Sequence, residues 1–162
     1  IEPEMLSTIT AHLYAQNMIF KYANKFYREH KSIASPEEFE ITDEIYNDFV
    51  EFVESHKFAY VSESEKDFDE LVKTAKSEGY YDNIKEQLDV LENELKNHKD
   101  NDLINNRKEI SEILKMEIVG RYYFQKGKIV STLKDDVELN RAVEILLNTN
   151  GQNEYETLLK SL

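Results

Sequence analysis

Between residues 84 and 124 one set of positions recurs at alternating steps of four and three. It runs Ile84, Leu88, Leu91, Leu95 and His98, then, beyond the polar tip KDND, Leu103, Arg107, Ile110, Leu114, Glu117, Arg121 and Phe124. That spacing lays one stripe along one side of an α-helix and is wrong for a strand, whose side chains alternate at every second residue. Two stripes of similar length across a short polar link predict a long antiparallel helical hairpin over 81–126, with Gly127 ending its second arm. The same pattern serves a seam closed within the chain and one closed against a second chain.

Helical periodicity also governs the flanks. Leu6, Ile9, Leu13, Phe20, Ala23 and Tyr27 share a face over about residues 4–29, with Pro3 suited to a first turn. The stretch KSIASPEEF breaks the pattern, and Thr42 or Asp43 then caps a helix carrying Ile45, Phe49, Phe52, Val53 and His56. The runs FEI and KFAYV on either side of that helix have the alternation of a short two-stranded ribbon. Ser62 or Ser64 begins a further helix with Phe68, Leu71, Val72 and Ala75, and Gly79 closes it. After Gly127, the short segment KIVSTLKDD is apolar enough to wrap onto the body. Asp135 or Asp136 caps a helix with Leu139, Ala142, Val143 and Leu146, and a last short helix is expected around Tyr155, Leu158 and Leu159. The fold class is therefore all-α, a helical bundle forming a single domain over 1–162.

Charge narrows the partners. The chain carries a formal −13, and residues 37–78 hold 14 Asp/Glu against 4 Lys/Arg, a net of −10. Nucleic-acid binding needs a clustered cationic surface that releases counterions, so it is excluded as an expectation, and anionic membrane is disfavoured for the same reason. No run approaches the 18 apolar residues that a membrane span requires. Cysteine is absent, which removes disulfides, thiolate metal sites and cysteine nucleophiles. The first residue is Ile, so the chain is read as a piece of a longer protein.

Chemistry of its own is not expected. No serine lies in a GxSxG elbow, and His12, His30, His56 and His98 are far apart without HExxH or another ligand spacing. The acidic run ESEKDFDE lacks the central glycine of a calcium loop and reads as a solvated helix face. No catalytic, cofactor or metal residue is therefore assigned. The candidate site is Glu117, Arg121, Tyr122 and Tyr123. Charges on an apolar seam need partners, so Glu117 and Arg121 form a register-fixing ion pair, or Arg121 with Tyr122 and Tyr123 grips a partner segment or a larger body of the same protein.

The phrases IFKYANKF, EIVGRYYFQKGKI and LKDD resemble the C-terminal region of bacterial carboxy-terminal processing (tail-specific) serine peptidases. IEPEMLSTIT, with residues 1–5 as the junction, looks like the passage from the protease core into that extension, and the resemblance covers nearly the whole chain. It implies a parent with a PDZ module and a Ser/Lys dyad, both upstream of Ile1, acting on the C-terminal regions of proteins in the periplasm or envelope of a Gram-negative bacterium.

For this chain the resemblance implies a non-catalytic accessory domain that braces the core and aids assembly or substrate access. Its expected partners are the protease core and PDZ module of the same parent. Two other readings stay open. One is an oligomerisation or adaptor-binding module, and the other is a stand-alone bundle of unknown role.

Overall fold

A computed structural model describes residues 6–133 and 136–147, which form eight helices and no strand among the described residues. The helices are α1 (Thr8–Ala15), α2 (Met18–Glu29), α3 (Asp43–Ser55), α4 (Glu63–Glu78), α5 (Tyr81–Asp100), α6 (Asp102–Asn105), α7 (Arg107–Leu133) and α8 (Val137–Leu147). The all-α class expected from periodicity is what is found. The junction at 1–5, with Pro3, Asp135 and the helix expected around Tyr155 lie outside the described residues. The chain divides into two compact units. The first takes the described residues up to Tyr22 together with Ile41–Leu114, and the second takes Ala23–Glu40 with Lys115 onward.

The single helix expected over 4–29 is two. Ser7 caps α1 by accepting from the Thr10 N–H, and α1 ends at Gln16. Asn17 then takes φ +60, the left-handed conformation that Asn tolerates better than most residues. The break rotates the buried stripe. Ile9 and Leu13 are buried in α1, but after it Met18, Ile19, Tyr22, Ala23 and Phe26 are buried, while Phe20 and Tyr27 face outward. A continuous helix would have buried Phe20.

In the first unit Tyr22, Tyr46, Phe49, Val53, Tyr60, Ile110 and Leu114 are buried with Ile9, Leu13 and Ile19. The Tyr22 ring meets Phe49 edge-on at 5.2 Å and Phe52 at 5.5 Å. Its hydroxyl donates to the Ile45 carbonyl at 3.0 Å and to Asp48 Oδ2 at 2.8 Å, so the large ring is buried without orphaning its polar end. Thr42 caps α3 by accepting from the Ile45 N–H. The Ser7 N–H donates to Glu109 Oε1 at 2.9 Å, tying the start of α1 to α7.

The FEI and KFAYV segments do not pair as a ribbon. Their neighbours Thr42 and Ser62 serve as helix caps, and carbonyls of the second segment take side-chain donors instead of a strand. Gln16 Nε2 donates to the Ala59 carbonyl at 2.9 Å, and Lys99 Nζ donates to that of Tyr60. Of the two capping serines the expectation allowed, Ser62 acts: its hydroxyl accepts from the Glu65 N–H, and the Glu65 carboxylate accepts from the Ser62 N–H at 2.8 Å. Gly79, at φ +77, closes α4, and the Tyr80 N–H reaches back to the Ala75 carbonyl at 2.9 Å.

The chain then reverses, and α5 returns along α4 in an antiparallel pair. Lys76 Nζ lies 4.7 Å from the Tyr81 ring centre at one end, and Lys99 meets Glu65 at 2.7 Å at the other. The polar tip expected at KDND, residues 99–102, is the end of α5, Asn101 and the first residue of the short α6. Tyr60 donates to Asp102 there, and Tyr46 donates to the Leu103 carbonyl. Burial pushes the Tyr46 hydroxyl up to about 12 against the opposing charge of Arg107, so it stays a donor throughout the range in which proteins are handled.

In the second unit Ala23, Phe26, Phe39, Ile118 and Val119 are buried, with the Phe26 and Phe39 rings 6.2 Å apart. Asp136 caps α8, accepting from the Leu139 N–H at 2.8 Å. Replacing Ser62 by Ala is expected to cost about 1 kcal/mol in urea denaturation, because two amide donors of α4 lose their arrangement. Ser64→Ala, on the exposed first turn, is expected to stay within about 0.5 kcal/mol of wild type.

Candidate functional site

The second unit gathers the four candidate residues on α7, and each is bonded. Glu117 and Arg121 meet at 2.7 Å between Oε2 and Nη1, and Arg121 Nη1 also donates to the Glu117 carbonyl at 2.9 Å. Arg121 Nε donates to Asn24 Oδ1 on α2 at 2.9 Å. The second carboxylate oxygen of Glu117 takes Lys128 Nζ at 2.5 Å. One carboxylate thus holds two cations. Burial pushes the Glu117 carboxyl up, but the hydrogen bonds from Lys128 and Arg121, with their positive charge, outweigh it and leave it below the ordinary carboxylate value.

The two tyrosines reach the segment that links α2 to α3. The Tyr122 hydroxyl donates to the His30 carbonyl at 2.7 Å, and the Tyr123 hydroxyl lies 3.3 Å from the Ile33 carbonyl oxygen and 3.2 Å from that of Ala34. Tyr27 sits edge-on to the Tyr122 ring at 4.8 Å. Burial, with the nearby Tyr27 hydroxyl, raises the Tyr122 hydroxyl above its usual value and keeps it a donor. The buried Lys115 sends its Nζ to Glu40 at 3.0 Å, closing the far end of the same segment. The group therefore pins residues 30–40 to α7.

Lys128 lies eleven residues beyond Glu117, a separation of about 16 Å along a straight helix, so the pair requires α7 to fold back. It does so at Phe124, whose φ of 57 and ψ of −159 fall in a region that is essentially reserved for glycine. The long arm thus stops three residues before Gly127. That glycine is buried, and a Cβ there would lie 2.2 Å from Tyr123 Cβ and 3.2 Å from Val119. At Gly120 a Cβ would meet the Lys128 side chain at 2.3 Å. Spacing rules could not find Lys128 or Asn24, because an eleven-residue step and a contact from α2 leave no helical signature. The two glycines, seven apart around a tyrosine pair, were the available signal.

Three of the four histidines pack on aromatic rings. His30 stacks on Phe26 with ring centres 3.9 Å apart and His56 lies 4.0 Å from Phe52, each with Nδ1 at the carbonyl of that same aromatic, which also accepts the histidine's own backbone N–H. His12 lies 5.1 Å from the Tyr60 ring. Among the described residues no three His, Asp or Glu side chains are grouped to hold a metal, and no helix is long and apolar enough to cross a membrane.

A carboxyl held below its ordinary value stabilises the fold above the unfolded-state value, and that contribution is lost as pH falls through the folded-state value. Between about pH 5 and pH 3 wild type should therefore lose stability more steeply than Glu117→Gln, as read by urea denaturation at each pH. Equal slopes would show that the ion cluster adds no pH-linked stability. Gly127→Ala should cost about 1–3 kcal/mol, since Tyr123 Cβ is fixed to its backbone and cannot yield.

The chain matches a family model described as "Probable PDZ-protease, C-terminal helical domain" over residues 9–146. No curated protein matches it. No solved structure matches it either. With the match extending from α1 to the penultimate residue of α8, the chain belongs to the family of C-terminal helical domains of PDZ-proteases.

Proposed function

We propose that this domain is the non-catalytic accessory part of a carboxy-terminal processing serine endopeptidase, bracing the protease core and supporting assembly or substrate access. The observation that carries this reading is the family match over residues 9–146. The polar groups of the candidate site support it in kind. Glu117, Arg121, Tyr122, Tyr123 and Lys115 are engaged in fixing the chain's own backbone and side chains, which is the pattern of a scaffold. A Ser/Lys dyad upstream of Ile1, substrates taken at their C-terminal regions and a periplasmic or envelope setting follow from the resemblance in IFKYANKF and EIVGRYYFQKGKI.

The second reading, an oligomerisation or adaptor-binding module, is favoured by apolar side chains left in solvent. Phe124, Ile129 and Leu133 of α7 and Leu139 and Val143 of α8 are exposed in the second unit, and Val90 and Leu91 of α5 in the first. Where such side chains form one contiguous patch, they mark a contact surface.

Deleting residues 9–146 from the full-length parent separates the readings. A bracing role predicts loss of solubility or of cleavage with the upstream modules intact, whereas unchanged cleavage, solubility and oligomer size would overturn it. Light scattering on the isolated chain tests the self-association part of the second reading, because a mass of 19.1 kDa at all concentrations removes it and a stable dimer establishes it.

A further inference from the structure

We infer that the bend of α7 at Phe124 is a latch, closed here by Glu117 and Lys128, with an open form in which residues 115–133 run as one straight helix. No helix-breaking residue sits at the bend itself, and Gly120 and Gly127 on either side permit the close approach without requiring it. The stretch from Lys115 to Leu133 contains no proline, and its seam positions Glu117, Arg121 and Phe124 continue the four-and-three spacing as if the helix ran on. Phe124 nevertheless occupies a backbone conformation that side chains avoid, and its ring is 77% exposed, so its own packing does not hold it there.

The holding contacts lie on either side of the bend. Glu117 takes Lys128 across it, the aliphatic chain of Lys128 lies against Gly120, and buried Gly127 lies against Val119 and Tyr123. A local conformation disfavoured at the bend and a small set of contacts favouring it make a two-state element, whose populations shift with the free energy of those contacts. Opening separates Glu117 from Lys128 by about 16 Å of helix rise and uncovers Gly127 and Val119. Any group that takes Lys128 away from Glu117 therefore favours the straight form.

The chain has no cysteine, so spin labels can be placed at will on the 162-residue protein. Labels at Met116→Cys and Thr132→Cys are spanned by about 24 Å of rise in a straight helix and by much less in the folded-back form. Pulsed electron resonance should show mainly the short distance in wild type, and Glu117→Gln should raise the long-distance population about tenfold or more, as expected for losing a charge-assisted hydrogen bond. Phe124→Gly, which removes the strain and penalises a straight helix, should suppress the long distance even beside Glu117→Gln. Lys128→Gln reads the same equilibrium from the other partner and serves where Glu117→Gln fails to fold cooperatively. A single short distance in the folded charge variant, or a long one indifferent to Phe124→Gly, overturns the latch.

Discussion

Helix termination is the constraint on which this structure depends. With four glycines and two prolines in 162 residues, the chain has few of the residues that ordinarily stop a helix, so side chains must do most of that work. Ser7, Thr42, Ser62 and Asp136 accept from the first amides of α1, α3, α4 and α8, and His30 and His56 sit at the last carbonyls of α2 and α3. Each cap decides where the chain turns, and the turns decide which apolar stripe faces inward. Among the described residues, three turns take positive-φ backbone at residues other than glycine: Asn17 between α1 and α2, Lys57 after α3, and Phe124 within α7.

That constraint also explains how much could be read from the sequence. Helices with a recognisable cap were legible to within a residue or two. Thr42, the capping box at Ser62 and Glu65, and Gly79 are local signals whose physics needs no tertiary contact. The breaks at Asn17 and Phe124 were not legible: one Asn inside an apolar period is too weak a signal to place a left-handed turn, and Phe124 takes a conformation that its residue type does not announce and that contacts across the bend hold. The error at Asn17 propagated, because a helix assumed to be continuous placed Phe20 and Tyr27 inside when they lie outside. The ribbon failed for a related reason: alternation in FEI and KFAYV reflects one buried side chain in each, Phe39 and Tyr60, while the Phe39 N–H bonds back to the Ser35 carbonyl and the Ala59 and Tyr60 carbonyls take side-chain donors.

The candidate site was legible as a pair and illegible as a network. A four-residue step is visible along any helix, so Glu117 and Arg121 could be named together, but the third charge and the accepting carbonyls depend on where a bend and a connecting segment bring the chain. The family match gives the domain its setting and leaves its chemistry open. The density of internal polar bonds among α2, the 30–40 segment and α7 is consistent with selection for shape over reactivity.

The second unit is assembled from stretches far apart in the chain, and this has a consequence for synthesis. Glu40 waits for Lys115, His30 for Tyr122 and Asn24 for Arg121, across separations of 75, 92 and 97 residues. At the usual translation rate of about 5–20 residues per second, residues 23–40 leave the ribosome roughly 4–20 s before their partners exist. Throughout that interval Phe26 and Phe39, which the finished fold buries, have no core to enter. The nascent chain therefore presents an aromatic segment to the cell's chaperones before the second half of its own fold is made.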